Sequence, residues 1–349
     1  MKKKIAIIGG GPSGLMAADI LSGNGCNVTI YERKSTFGRK FLMAGRGGLN
    51  ITHSENSFDF IKKYGVNANI FKTILDDFSP KDVRDWCEKL GEKTFIGSSG
   101  RVFPRSFKAS PLLRAWLARL EKQKVIFKLN YDWQGWNQNN LVFKNNNEDI
   151  FVQADVTLLS LGGASWPKLG SDGSWVKIFK KQGLETSPLL PSNCGFVVEW
   201  SDIFSKRFEG KSLKSVTLSF NDRKLKGEFV ITKNGVEGSS IYALSSFMRE
   251  DINIKGYTEL MLDLKPDLDF EEIQKRLQKP KSKLTMSNYL RKTLNLSDVA
   301  IGLLMELLGS KKLNNFTTKE ITSSIKFYKL ILKKTFAIDR AISTAGGVT

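Results

Sequence analysis

Six residues near the start of the chain constrain its fold more than anything that follows. Gly9-Gly10-Gly11-Pro12-Ser13-Gly14 stands directly after the β-branched run Ile5–Ile8 and opens a helical segment, Leu15 to Leu21. The spacing Gly9-x-Gly11-x-x-Gly14 is the fingerprint of a strand–turn–helix unit that binds a dinucleotide. Gly9 permits the tight turn, Gly11 lets backbone approach a pyrophosphate, and Gly14 lets helix and strand pack closely. Pro12 and Ser13 complete the turn, and the helix N-terminus faces the phosphates. Gly23-Asn24-Gly25 makes the next turn, and Val28–Tyr31 forms a second strand. Glu32 ends that strand, 18 residues after Gly14. A carboxylate there accepts hydrogen bonds from ribose hydroxyls. The same run argues against a secretory signal. Lys2-Lys3-Lys4 and Ile5–Ile8 imitate one, but the glycines interrupt the apolar core that a signal needs.

The fingerprint alone does not separate NAD from FAD. The following segment, Gly38-Arg39-Lys40-Phe41-Leu42-Met43-Ala44-Gly45-Arg46-Gly47-Gly48-Leu49-Asn50, is rich in glycine and cations. Backbone amides of such a loop cradle a phosphate or line a flavin, with Arg39, Lys40 and Arg46 supplying charge. An NAD-type unit would proceed to a helix and a third strand instead. Gly38, Gly47, Gly48 and Asn50 therefore join the candidate cofactor set, as does Arg33 beside Glu32. Arg46 has two readings of equal weight, a stabiliser of negative charge near a flavin and a structural phosphate contact. His53 follows in the same loop as a candidate proton donor, but a capping or exposed loop histidine is the simpler reading. No residue is assigned a catalytic role from sequence.

Composition narrows the function classes. Of 349 residues, 41% are hydrophobic and 26% charged, an ordinary globular mix. No run of about 18 apolar residues suggests a membrane span. Lys and Arg number 54 against 35 Asp and Glu, a formal net charge of +19. That charge is compatible with nucleic acid, but lysines outnumber arginines about threefold and are scattered, as on solvated faces. Cys26, Cys87 and Cys194 lie far apart, and His53 is the one histidine, so a Cys/His metal site is not expected. The cysteines read as reduced thiols of a cytoplasmic protein.

Further along, Ser79-Pro80-Lys81-Asp82 has the capping serine, first-turn proline and acid of a helix start. Its apolar stripe, Val83, Trp86, Cys87 and Leu90, places Cys87 in the core. Arg101–Pro104 is strand-like, and Ser110-Pro111 starts another helix with Leu112, Leu113, Trp116, Leu117 and Leu120 inward. Arg101 and Lys108 flank Phe103-Pro104 as candidate substrate-facing cations, with solvated charges the default. Val125–Leu129 and Val156–Leu161 read as strands, the latter running into Gly162-Gly163, where glycine permits close approach of backbone to a cofactor. The asparagine-rich stretch 137–147 contains hairpin turns. From about residue 186 alternating strands (196–198, 216–220, 228–232, 260–264) and helices (269–279, 286–294, 298–308) predict a separate β-plus-helix domain. Cys194 lies in a turn and is expected to be exposed. Absence of a second GxGxxG argues against a dedicated nicotinamide domain.

The segments IAIIGGGPSGLMAA, GRKFLMAGRGGLNITHSE, GRVFPRSFKASPLLRAWLARL, LLSLGGASWPKLGSDGSW, GVEGSSIYALS and AISTAGGV resemble FAD-dependent oxidoreductases of the glutathione-reductase-like class. More closely, they resemble the aminoacetone-oxidase-like (BaiN/YhiN-like) flavoproteins. The resemblance implies an α/β fold, a FAD-binding Rossmann domain with an inserted β-rich plus helical domain. It places the FAD-binding domain at 1–185, the inserted substrate domain at 186–325, and a return to the FAD-binding domain at 326–349. It also implies that a backbone group near Trp133 reaches the adenine, and that Gly162 and Gly163 approach the flavin. NAD(P)H is a candidate electron donor, docking transiently, and a small molecule of unassigned identity the expected substrate. In such relatives a Gly-Glu/Asp segment and a final helix follow the Ala-Gly-Gly stretch, so the sequence ending at Thr349 is expected to lack the segment that closes the FAD site. Two alternatives follow: a flavin-containing tRNA- or RNA-associated protein, since some relatives of this fold modify tRNA, and an inactive truncated remnant.

Overall fold

The computed structural model describes residues 2–45, 47–279, 283–308 and 315–349. Residues up to 162 together with 166–186 form one compact unit; residues 163–165 and 187–349 form a second.

The first unit begins with β1 (Lys4–Ile8), α1 (Pro12–Gly23), β2 (Asn27–Glu32) and α2 (Arg39–Ala44). Then come β3 (Thr52–His53), α3 (Ser57–Lys62), α4 (Ala68–Asp77), α5 (Pro80–Lys89), β4 (Thr94–Ile96), β5 (Arg101–Pro104) and α6 (Ala109–Lys122). It closes with β6 (Ile126–Leu129), β7 (Asp132–Asn137), β8 (Asn140–Asn145), β9 (Glu148–Val152), β10 (Val156–Leu159) and α7 (Trp175–Lys181). A parallel sheet runs β10–β1–β2–β6, with Ile7 opposite Ile30 on one side and Leu158 on the other. The apolar run Ile5–Ile8 is explained by burial on both faces, as in covered parallel sheets. Ile5 and Ile7 pack with Leu15, Ala18, Trp116 and Leu120 of α1 and α6. Ala6 and Ile8 point the other way, into a core with Trp133, Phe143 and Phe179 from the antiparallel β7–β8–β9 meander and α7. A third small sheet, β3–β5–β4, is antiparallel.

Local signals act as their chemistry dictates. Ser79 and Asp82 form a reciprocal capping box before α5, with Asp82 accepting from the Ser79 amide at 2.8 Å. Helix α6 starts one residue before Ser110, at Ala109, and carries Pro111 inside its first turn. A proline is tolerated there because that amide has no helical acceptor. One buried charge ties three helices together. Asp19 of α1 is 4% exposed. It accepts from the Trp86 indole of α5 at 3.3 Å and lies 3.0 Å from the Arg119 guanidinium of α6.

The second unit holds β11 (Thr186–Ser192), β12 (Phe196–Val197), α8 (Asp202–Phe208), β13 (Ser212–Phe220), β14 (Arg223–Thr232), β15 (Gly235–Glu237), α9 (Ser239–Lys255) and β16 (Thr258–Asp263). Helices α10 (Phe270–Leu277), α11 (Met286–Leu294), α12 (Asp298–Leu308) and α13 (Thr318–Lys326) follow, then β17 (Tyr328–Leu332), β18 (Lys334–Thr335) and β19 (Ser343–Val348). Its main sheet has the order β17–β16–β13–β14–β15–β12–β18. Leu218, Phe229, Leu262 and Leu330 fill its core with Ile241, Met248, Leu290 and Leu304 from the helices.

In the segment 326–349, β17 pairs with β16, β18 with β12, and β19 with β11. One expectation needs correction here. Cys194 is 1% exposed, because Phe196 and the strands beside it draw the turn into the core. Among the described residues, no helix is long and apolar enough to cross a membrane.

Leu262→Ala, at a fully buried central position, is expected to lower unfolding free energy by about 2–5 kcal/mol. Val66→Ala, at a fully exposed one, is expected to stay within about 0.5 kcal/mol. Urea titration of both variants checks the assignment of the core.

Candidate functional site

The site is built on the carboxyl ends of β1 and β2. The Gly9 amide donates to the Tyr31 carbonyl at 2.8 Å, which turns the chain out of β1 across the end of β2. Three glycines have no room for a side chain. A Cβ on Gly9, whose φ is +110°, would lie 2.2 Å from the Ser160 carbonyl oxygen. One on Gly14 would lie 2.0 Å from the Gly9 carbonyl oxygen, and one on Gly10 2.1 Å from the Phe37 ring. Gly11 is different: nothing lies within 4 Å of where its Cβ would be. Its glycine is not required by the protein's own packing, and the space before it is free.

Helix α1 opens onto that space. Its N-cap is Gly11, no side chain caps it, and no acid sits in its first turn. Pro12 at the first position removes one amide that would otherwise lack an acceptor. The remaining first-turn amides and the helix dipole present partial positive charge to the opening, the electrostatics of an anion site. Glu32 borders it. One carboxylate oxygen accepts from the Gly10 amide and the other from the Lys34 amide, both at 2.8 Å. These bonds fix the carboxylate's orientation, and each oxygen retains lone-pair capacity for a hydroxyl.

The next segment is tied to the same turn by the Gly38 amide, which donates to the Gly10 carbonyl at 2.9 Å. Gly38 has φ +62° and sits against Leu113, so both conformation and space exclude a side chain. Arg39 follows, donating to Thr36 at 3.3 Å while its buried Nε lacks a hydrogen-bond partner. Burial holds the Lys40 ammonium below the usual lysine range. An orphaned guanidinium nitrogen and a desolvated ammonium beside an open, amide-lined space fit an anionic cofactor such as a dinucleotide.

The other expected residues divide. Arg33 points elsewhere: its guanidinium donates to the Gly170 carbonyl at 2.5 Å and pairs with Asp172 at 2.9 Å. Gly48 lies by the Phe107 and Phe103 rings, whereas nothing lies within 4 Å of where a Gly47 Cβ would be. The Asn50 carboxamide, oriented to satisfy its neighbours, donates to the Thr52 and Val102 carbonyls. Arg46 lies outside the described residues. The Trp133 indole is 6% exposed among Trp136 and Phe179, so only its backbone is left to meet a ligand. Gly162, at φ +73°, sits by Ser171, whereas Gly163 belongs to the second unit and packs on Thr344. His53 is held by its loop: Nε2 lies 3.0 Å from the Ser99 carbonyl and Nδ1 3.2 Å from the Glu55 amide.

Two residues escaped the sequence reading. Gly10 occupies a variable position of the fingerprint, yet Phe37 and Glu32 crowd it. Ser160 bonds the Ile8 and Gly9 carbonyls through its hydroxyl, both at 3.0 Å, and so braces the turn from β10. Its only signal was its place at the end of a buried strand.

The cysteines take no part. Burial pushes the Cys87 thiol up to about 12 and the Cys194 thiol up to about 11. Both therefore stay protonated and unreactive until well above neutral pH. Ellman's reagent at about pH 8 is expected to titrate no more than one thiol, Cys26, in the native chain, and all three cysteines in guanidinium.

Comparison with known proteins agrees with this geometry. The family described as HI0933-like protein Rossmann domain matches residues 3–349. A protein named ribosomal RNA dihydrouridine synthase from Haemophilus influenzae is 23% identical over 286 residues, 76% of this chain and 65% of that one, so the match spans slightly less than two thirds of the relative. Its namesake from Escherichia coli is 23% identical over 98% of this chain and 84% of its own. Among solved structures, a 3-ketosteroid-Δ4-(5α)-dehydrogenase from Rhodococcus jostii covers 99% of this chain and 84% of its own, at 12% identity and a TM-score of 0.47. With the family match running through almost the whole sequence and the fingerprint built as that fold requires, the chain belongs to the HI0933-like Rossmann family.

Proposed function

We propose that this chain is a FAD-dependent oxidoreductase that takes its electrons from NAD(P)H. The observation that carries the reading is the open space at Gly11, before an uncapped helix N-terminus and beside an oriented Glu32. In it the first-turn amides of α1 would hold the pyrophosphate and Glu32 a ribose hydroxyl, with Arg39 and Lys40 beside them. Bound there, FAD would supply the hydride and electron chemistry. The protein's part is to bind, orient and exclude competing reactions. The segments 38–55 and 101–120 support the finer assignment to aminoacetone-oxidase-like flavoproteins.

A second reading concerns the substrate. Two relatives are named ribosomal RNA dihydrouridine synthases, and the chain carries a net charge of +19, which favours a polyanion. On this reading the substrate is a uracil base in RNA. Its C5–C6 double bond gains a hydride equivalent and a proton, while NAD(P)H is oxidised to NAD(P)+.

Gly11→Ala separates binding from folding. With no neighbour within 4 Å, the methyl group should leave the melting temperature within about 2 °C of wild type while the purified protein loses its yellow flavin absorption. Gly14→Ala, which strikes the Gly9 carbonyl, is expected to lower both. Unchanged flavin content in Gly11→Ala would overturn the site. For the substrate, NADPH-dependent gain of two hydrogens in ribosomal RNA, read by mass spectrometry of nucleosides, supports the second reading. Bleaching of the flavin without any change in RNA removes it.

A further inference from the structure

The antiparallel β3–β5–β4 sheet carries a pattern that the dinucleotide site does not use. β4 and β5 pair Thr94 with Pro104, Phe95 with Phe103 and Ile96 with Val102. Alternation across the pleat puts Phe95 and Phe103 on the face opposite the buried Thr94, Val102 and Pro104. Arg101 lies on the same face as Phe103, and β3 sets His53 directly opposite Arg101. At the other end Lys93 and Arg105 are joined by a backbone bond of 2.8 Å. The face thus reads cation pair, aromatic pair, cation.

A third ring completes the aromatic centre. Phe107 lies 5.0 Å from Phe95 and 5.6 Å from Phe103, centroid to centroid, and Phe95 and Phe103 stand 5.9 Å apart. Phe107 is 50% exposed and has φ +56°, a left-handed conformation that bulky residues avoid. Two bonds hold it there: its amide donates to the Pro104 carbonyl at 2.9 Å, and its carbonyl accepts from the Leu49 amide at 3.1 Å. Gly48 is the floor beneath it, since a Cβ there would lie 3.2 Å from the Phe107 ring. Strain of this kind persists where surrounding contacts enforce it, and it clusters at ligand sites. Burial does not explain it, because the ring it positions is half in solvent.

The surrounding charge has one sign. Residues 93–108 contain Lys93, Arg101, Arg105 and Lys108 and no Asp or Glu. All four cations are exposed. Elsewhere on the chain many lysines and arginines pair with carboxylates, for example Lys326 with Asp263 and Arg291 with Asp298. Among the described residues these four form no ion pair. The nearest acid in sequence, Glu92, accepts from Ser106.

We propose that this sheet face, with Phe95, Phe103 and Phe107 at its centre and Arg101, Arg105 and Lys108 around it, binds single-stranded RNA. The rings stack on bases and the cations meet the phosphates on either side. Aromatic platforms flanked by basic side chains are the general solution to binding unpaired nucleotides, because every base has a π face and every linkage a charge. The proposal rests on the RNA reading above and assigns it a surface.

The test uses the full flavin-loaded chain and a fluorescein-labelled oligouridylate about 12 nucleotides long, with anisotropy read across a salt series. Phe107→Leu is expected to weaken binding about tenfold with the salt slope unchanged. Arg101→Gln with Arg105→Gln is expected to weaken it and make the slope shallower by about 1.4, two phosphate contacts at ~0.7 each. Lys224→Gln with Lys226→Gln removes the same charge from exposed positions on β14 and should change affinity less than about twofold. Flavin absorbance per protein should match wild type in all three. If wild type binds and the sheet variants bind equally well, or the β14 control loses as much, the face is wrong and the RNA reading stands. If Phe107→Leu loses flavin and keeps RNA affinity, the rings serve the cofactor and the proposal falls. If wild type fails to bind at low salt, the RNA reading falls and takes the proposal with it.

Discussion

The structure depends on one close approach, that of α1 to the turn at the end of β1. The Gly14 position touches the Gly9 carbonyl, and Ser160 bonds that same carbonyl from the neighbouring strand. No side chain fits between them, so the helix axis is aimed by backbone contact rather than by adjustable packing. That aim decides where the first-turn amides point. It also fixes Gly10, whose carbonyl takes the Gly38 amide and whose amide holds Glu32. A shift of a few tenths of an ångström at Gly14 would therefore move the anion site, the ribose acceptor and the start of the cationic loop together. Gly11, with open space before it, is the one fingerprint glycine left for a ligand.

Much of this was legible because it is local. A β-branched run, a glycine turn, a helix and an acid at set spacing leave few folds available, and β1, α1 and β2 form where those signals lie. Helices α11 and α12 span the segments their apolar spacing predicted. What escaped was non-local. The sequence of 326–349 carries no mark of which sheet its strands will join, and β17 and β18 add to the second unit's sheet because apolar faces there need covering. Cys194 looks like a turn residue until Phe196 carries the turn into the core. Arg33 looks like a cofactor cation until Asp172 and Gly170, far along the chain, are brought to it. Gly10 and Ser160 matter through contacts with Phe37 and Gly9 that spacing does not reveal.

The charge of the chain makes sense at the same resolution. A net charge of +19 says little while most cations are scattered or paired. It gains meaning where four of them stand unpaired, among the described residues, around three rings, one of which, Phe107, is set on a left-handed backbone. The Gly47–Asn50 stretch links that face to the cationic loop in sequence, since Leu49 bonds the Phe107 carbonyl while Gly38, a few residues earlier, bonds the Gly10 turn. An oxidoreductase acting on a base in a polymer needs a reducing centre and a grip on the strand. The first unit supplies candidate elements for both.

The central claim is that the chain recognises a flavin through its diphosphate and adenosine, not through the ring alone. Fluorescence titration of the flavin-free protein with FAD and with riboflavin tests it most directly. The account predicts saturable quenching by FAD and none by riboflavin at the same concentrations, because riboflavin offers nothing to the α1 amides or to Glu32. Equal binding of the two flavins, or binding of neither, would contradict it.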